Sequence, residues 1–161
     1  MLRFKRHQGF TLTELAVTLA IASVVGAMAL PSLSDMLRST RVKQAASDMV
    51  ATLAYARNEA ITRNTVVSVV AFGTWSAGWQ VIANGTTLRQ TLFNGDVTVA
   101  SSTGNSVSYN PNGRVGSLTT LSFTFSVPGN AKVMRRCVSA TLMGQPVLQS
   151  DTNRDGDCSN G

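Results

Sequence analysis

The side chains able to do chemistry in this 161-residue chain fall into four groups, and each group suits binding or assembly rather than turnover. Glu14 is a carboxylate one turn inside an apolar segment, followed by the twenty uncharged residues Leu15 to Ser34. An unpaired charge there costs several kcal/mol in lipid and marks a functional position by default. The tail Asp151-Thr-Asn153-Arg-Asp155-Gly156-Asp157 sets oxygen-bearing side chains at alternate positions with a glycine at the sharp turn, which is what a hard cation such as Ca2+ requires. The bidentate glutamate that closes a full calcium loop would fall one residue past Gly161, so the set Asp151, Asn153, Asp155 and Asp157 is incomplete, and the plainer reading is a solvated Asx-rich turn. Lys132, Arg135 and Arg136, with Arg114 or Arg154 nearby, form the one basic group suited to DNA; strand alternation would send Arg135 and Arg136 to opposite faces unless a bulge intervenes. Cys137 and Cys158 are the only cysteines.

No nucleophile, base and acid come together. The single histidine, His7, lies in the first nine residues, and the chain has no H-x-x-x-H, G-x-S-x-G, G-K-S/T or C-x-x-C motif. That argues against an enzyme and against a histidine-based metal site.

The elements that must position these groups begin with a three-part N-terminus. Arg3, Lys5 and Arg6 form a basic leader, Gly9-Phe10 is a small-to-large junction, and Ala16 to Leu33 is rich in Ala, Val, Leu and Ile. Twenty residues at 1.5 Å rise match a hydrocarbon core of about 30 Å. A cleaved secretory signal, with Ala27-Met28-Ala29 as its cleavage site, and a plain anchor both show such a pattern, but neither has a use for Glu14.

The run Gly9-Phe10-Thr-Leu-Thr-Glu14-Leu-Ala-Val-Thr-Leu-Ala-Ile-Ala resembles the prepilin signature of type IV pilins and type II secretion pseudopilins. The resemblance implies cleavage after Gly9 by a prepilin peptidase, methylation of the new N-terminal Phe10, and a role for Glu14 in assembly, beside the free amine of Phe10 in a neighbouring subunit. Pro31 stands where many pilins interrupt the N-terminal helix. Two further stretches, Leu53-Ala-Tyr-Ala-Arg57-Asn-Glu59-Ala-Ile-Thr-Arg63 and Tyr109-Asn-Pro-Asn-Gly113-Arg114, resemble segments of the GspH/FimT group of minor pilins and pseudopilins. DNA-uptake pilins of that group carry a G-R-x-R motif near the C-terminus. Here the corresponding stretch, Gly144-Gln145-Pro146-Val147, has no arginine.

Expected partners are therefore other minor pilins, the major pilin, the prepilin peptidase and the inner-membrane assembly platform. DNA is the weaker alternative, and Ca2+ the only cofactor to consider. The net charge of +6 falls to +3 once Arg3, Lys5 and Arg6 leave, with 11 basic against 8 acidic residues remaining. The basic leader predicts a cytoplasmic N-terminus and a C-terminal domain on the periplasmic side. In that oxidising compartment the cysteine pair reads as one disulfide, closing a loop of about twenty residues.

The expected fold is α+β and pilin-like: a long N-terminal helix, half transmembrane and half amphipathic, packed on an antiparallel β-sandwich-like C-terminal domain. Residues 1–9 form the leader, 10–33 the transmembrane or filament-core helix, 34–64 the amphipathic half and 65–161 the β-rich domain with its disulfide loop. From Met36 to Ile61 apolar residues recur every three or four, the helix period. Phe10 to about Asn64 predicts one helix of roughly 80 Å, bent or locally melted at Pro31. Beyond Asn64 the period becomes two and turn residues are dense. Strands are predicted over 65–72, 79–83, 87–93, 97–101, 106–109, 118–126, 132–139 and 146–149, with Trp75 and Trp79 as core or edge packing rather than a stacking platform.

Overall fold

The computed structural model describes residues 10–93, 95–116, 120–156 and 158, with residues 28–31 described by their backbone only. Among the described residues one helix, α1 (Leu12–Arg63), is followed by eight strands: β1 (Val67–Phe72), β2 (Thr74–Ala83), β3 (Thr86–Leu92), β4 (Thr98–Ser101), β5 (Ser106–Tyr109), β6 (Leu121–Ser126), β7 (Arg136–Ala140) and β8 (Pro146–Ser150). The chain divides into two compact units, Met1–Asp35 and Met36–Gly161.

In the first unit the side chains described from Phe10 to Ala27 are exposed, among them Leu15, Leu19, Ile21 and Val25. A helix apolar on all sides is one made for lipid or for burial against other helices. The backbone stays helical through Pro31, so the expected melting there does not occur.

In the second unit the helix buries Val42, Ala45, Ala46, Met49, Leu53, Ala56 and Ala60, a stripe at spacings of three and four. Met36, Leu37 and Ile61 share the sequence periodicity but lie exposed, so the packed stripe is shorter than the periodic one. The helix ends in a Schellman motif: Thr65 N donates to Ala60 O (3.2 Å), Asn64 N donates to Ile61 O (3.3 Å), and Asn64 takes the left-handed conformation with φ 51°.

The strands form two antiparallel four-stranded sheets, ordered β3-β2-β1-β5 and β4-β6-β7-β8. Both are knitted by pairings of strands distant in sequence, β1 with β5 and β4 with β6. Burial alternates along β1 and β6, placing Val67, Val69 and Ala71, and Leu121, Phe123 and Phe125, in the core. Aromatic rings join the sheets: Trp75 meets Phe123 edge-on at 4.8 Å between centroids, and Trp79 meets Phe125 at 6.4 Å and Phe93 at 4.6 Å. Both tryptophans are buried, as their core reading required.

All eight expected strands are present, with corrected bounds. β2 begins at Thr74 rather than Trp79, and Gly78 is an interior strand residue with φ 133° at which a Cβ would overlap the Thr91 carbonyl oxygen. That close approach of backbones is why glycine stands there, although glycine otherwise reads as a strand breaker. β7 begins at Arg136 rather than Lys132, because the preceding turn persists: Asn130 N donates to Val127 O (3.3 Å), and Asn130 Oδ1 accepts the Lys132 amide (3.0 Å). Among the described residues β6 begins at Leu121; Leu118 lies outside them.

Candidate functional site

Gly9 and the rest of the leader lie outside the described residues. Thr11 caps α1: its Oγ1 accepts the Glu14 amide (3.3 Å) and its carbonyl accepts the Leu15 amide (3.1 Å). Thr-x-x-Glu is the spacing of a capping box, and a carboxylate in the first turn also meets the positive end of the helix dipole. Glu14 thus helps start the helix as well as carrying charge into an apolar stretch, a role that attention to its burial cost alone overlooks. Thr18 and Ser23 donate their hydroxyls to Leu15 O (2.8 Å) and Ala20 O (2.7 Å). Those two polar groups are satisfied inside the helix, and Glu14 is the charged side chain in this apolar stretch. The side chain of Pro31 lies outside the described residues.

The C-terminal residues gather around β7. Cys137, on that strand, and Cys158 are joined by a disulfide across 21 positions, with Cα atoms 6.0 Å apart, and both are buried. Asp151 follows β8; its amide donates to Arg135 O (3.2 Å), its side chain is buried, and its Oδ2 accepts the Gly156 amide (3.0 Å). Asn153 Nδ2 donates to Asp155 Oδ2 (2.9 Å). Asp157 lies outside the described residues. Among the described residues no three His, Cys, Asp or Glu side chains gather as a metal cluster; the loop offers two carboxylates and one amide.

The basic group does not form one surface. Arg135 precedes β7 and is exposed, whereas Arg136 is half-buried and donates through Nη1 to Ser150 Oγ. Arg135 stands just before the first residue of β7, and its carbonyl accepts the Asp151 amide just past the end of β8. Arg114 donates to Met143 Sδ (3.9 Å) at a separate turn. Arg135 and Arg154 line one groove of about 580 Å3 together with Asp151, Pro128 and Asn130.

Polar ties fix the helix of the second unit to its strands. Asp96, between β3 and β4, accepts Arg38 Nε (3.0 Å) and Arg41 Nη1 (3.2 Å). Its own backbone amide, followed by Arg41 and Arg38, holds its carboxyl below the usual carboxylate range. Arg57 Nε donates to Gly113 O (3.0 Å). The receiving turn is built by Asn110, whose Oδ1 accepts the amides of Asn112 and Arg114, both at 3.0 Å. Two of the family-like stretches, Leu53–Arg63 and Tyr109–Arg114, thus meet at one contact. Tyr109 is fully buried with its hydroxyl unpartnered, and burial pushes its pKa up to about 12.

Residues 45–144 match the family described as Type II transport protein GspH, and residues 4–30 match the prokaryotic N-terminal methylation motif. No curated protein matches the sequence. Among solved structures, the type IV minor pilin FimU of Pseudomonas aeruginosa is similar with a TM-score of 0.61 and 21% identity, covering 70% of this chain and 94% of that one. The minor pseudopilin EpsH from the Type 2 Secretion System of Vibrio cholerae is similar with a TM-score of 0.57 and 15% identity, covering 69% of this chain and 98% of that one. At such identities the likeness is one of fold. The GspH match spans more than half of the chain, and the protein belongs to that family, whose pilin-like members are structural subunits rather than enzymes.

Proposed function

We propose that this protein is a minor pilin that primes or caps a type IV pilus. It is cut after Gly9 by a prepilin peptidase, methylated at Phe10, anchored by α1 with its β-domain on the periplasmic side, and passed through the inner-membrane assembly platform into the filament. Its partners are other minor pilins and the major pilin. The observation that carries this reading is the methylation motif on a helical segment whose apolar side chains described from Phe10 to Ala27 are exposed, in a chain whose second unit has its own core. Inserted beside like helices, such a surface loses lipid contacts and gains helix contacts, and Glu14 sets the axial register by meeting the free amine of Phe10 in the next subunit.

The second reading is a minor pseudopilin of a type II secretion system, favoured by the GspH match itself and by the likeness to EpsH. Deleting the gene separates the two. Loss of sheared surface pili with normal secretion supports the pilus reading, and loss of secretion with normal pili supports the other. Complementation with Glu14→Val should leave membrane insertion intact and reduce incorporation at least tenfold; recovery equal to wild type in the sheared filaments refutes the assembly role of Glu14. Nothing in the arrangement of Lys132, Arg135 and Arg136 adds support for DNA binding.

A further inference from the structure

We infer that the loop Asp151–Gly156 is a binding site for a hard divalent cation, Ca2+ in preference to Mg2+. This stands apart from the assembly reading and does not depend on it. The loop carries the alternating Asp151, Asn153, Asp155 pattern ending in Gly156, but the pattern alone would fit a solvated turn. What distinguishes it is Asp151, whose side chain is 1% exposed and whose Oδ1 has no hydrogen-bond partner. Its other oxygen, Oδ2, accepts the Gly156 amide across the loop, so the carboxylate is turned inward and Oδ1 is the oxygen left to coordinate. A buried carboxylate oxygen with no donor is costly unless a cation meets it.

The neighbouring charges are Arg135, Arg154 and Asp155. Arg135 Nη1 lies 2.5 Å from where a Gly156 Cβ would stand, and Arg135 and Arg154 line the groove that Asp151 lines. Yet among the described residues no ion pair includes Asp151. Both arginines are exposed and long enough to turn away into solvent. Positive φ at Arg154 (62°) and Gly156 (93°) bends the loop, and the bond from Asn153 Nδ2 to Asp155 Oδ2 (2.9 Å) holds those two side chains together. Its ends are pinned, at Asp151 by the bond to Arg135 O and at Cys158 by the disulfide to β7. Oxygen ligands from Asp151, Asn153 and Asp155, completed by water, give a flexible site suited to Ca2+, whereas Mg2+ demands stricter geometry.

The test is titration calorimetry and thermal unfolding of the full chain in detergent with CaCl2, MgCl2 or a chelator. The expected result is a Kd of about 0.1–1 mM for Ca2+, in the range of extracellular modules. At ten times that Kd the midpoint should rise by about 5 °C, and Mg2+ should have less effect. Asp151→Asn should abolish the response, since its side-chain oxygen still accepts the Gly156 amide but no charge remains. Asp155→Asn, on the exposed side of the loop, folds independently of that outcome and should weaken Ca2+ binding at least tenfold. Removing the competing charge with Arg135→Ala should preserve or tighten binding. Absence of heat and of any midpoint shift up to about 10 mM Ca2+ overturns the site, as does an undiminished response in both asparagine variants.

Discussion

Thr52 and Trp79 form a polar pair buried between the helix and the first sheet, and substituting Thr52 tests whether that pair or the apolar stripe around it holds the two together. Trp79 Nε1 donates to Thr52 Oγ1 (3.0 Å), and Thr52 Oγ1 donates to Asp48 O (2.7 Å); both residues are fully buried. Thr52→Val exchanges a hydroxyl for a methyl of nearly equal size. If burial of apolar surface were the whole account, the valine variant would be equally stable or more so. If the hydrogen bond counts, the variant strands a buried indole N–H, at a cost of about 1–3 kcal/mol. The unit Met36–Gly161 contains every buried core residue described, and for a domain of its size roughly 4 °C of melting temperature is lost per kcal/mol. Thr52→Val should therefore melt about 4–12 °C below wild type. Thr52→Ser keeps the hydroxyl and loses one methyl, so it should fall by about 1 kcal/mol or less. Urea denaturation followed by circular dichroism, with Trp79→Phe and the double variant, completes the cycle: without the indole N–H, Thr52→Val should become nearly neutral. A valine variant as stable as wild type, or the same valine penalty in the Trp79→Phe background, would refute the argument.

Cys158→Ser should lower stability by about 3 kcal/mol through loss of the loop closure, and a reducing agent should lower the melting temperature of wild type but not of the variant. Tyr109 supplies an alkaline test. Its folded pKa is raised to about 12 because burial disfavours the phenolate, so its contribution is complete below the unfolded value near pH 10 and is lost as pH rises through the interval to about 12. Tyr109→Phe should flatten that decline and be neutral or slightly stabilising at pH 7, since it removes an unpartnered buried hydroxyl.

The long helix, the eight strands and the disulfide were legible because each leaves a local mark: a period of three to four, a period of two between Asn/Gly/Pro turns, and a lone cysteine pair. The start of β2 was hidden because Gly78 resembles a breaker unless the Thr91 carbonyl it faces is known. The late start of β7 was hidden because Lys132-Val133 alternates as a strand would while Asn130 folds it into a turn. Ties that span the chain left no local trace: Thr52 with Trp79, Arg57 with Gly113, and Arg38 and Arg41 with Asp96. The N-terminal motif was legible as a stretch, and the methylation-motif match over residues 4–30 covers it. The cap that Thr11 provides was equally visible in Thr-x-x-Glu but was overshadowed by the charge.

Four of the seven stripe residues on the helix of the second unit are alanines, and this bears on how its lengthwise position is chosen. A surface of methyl groups is nearly smooth, so sliding by a fraction of a turn changes its van der Waals energy little. Met49, Leu53 and the Thr52–Trp79 hydrogen bond resist such sliding near the middle, and further information sits towards the two ends, with Arg38 and Arg41 on Asp96 and Arg57 on Gly113. The helix lies on its sheet like a rail held between two stops. Loosening both stops would leave Met49, Leu53 and the Thr52–Trp79 bond alone to fix the lengthwise setting of the helix on its sheet.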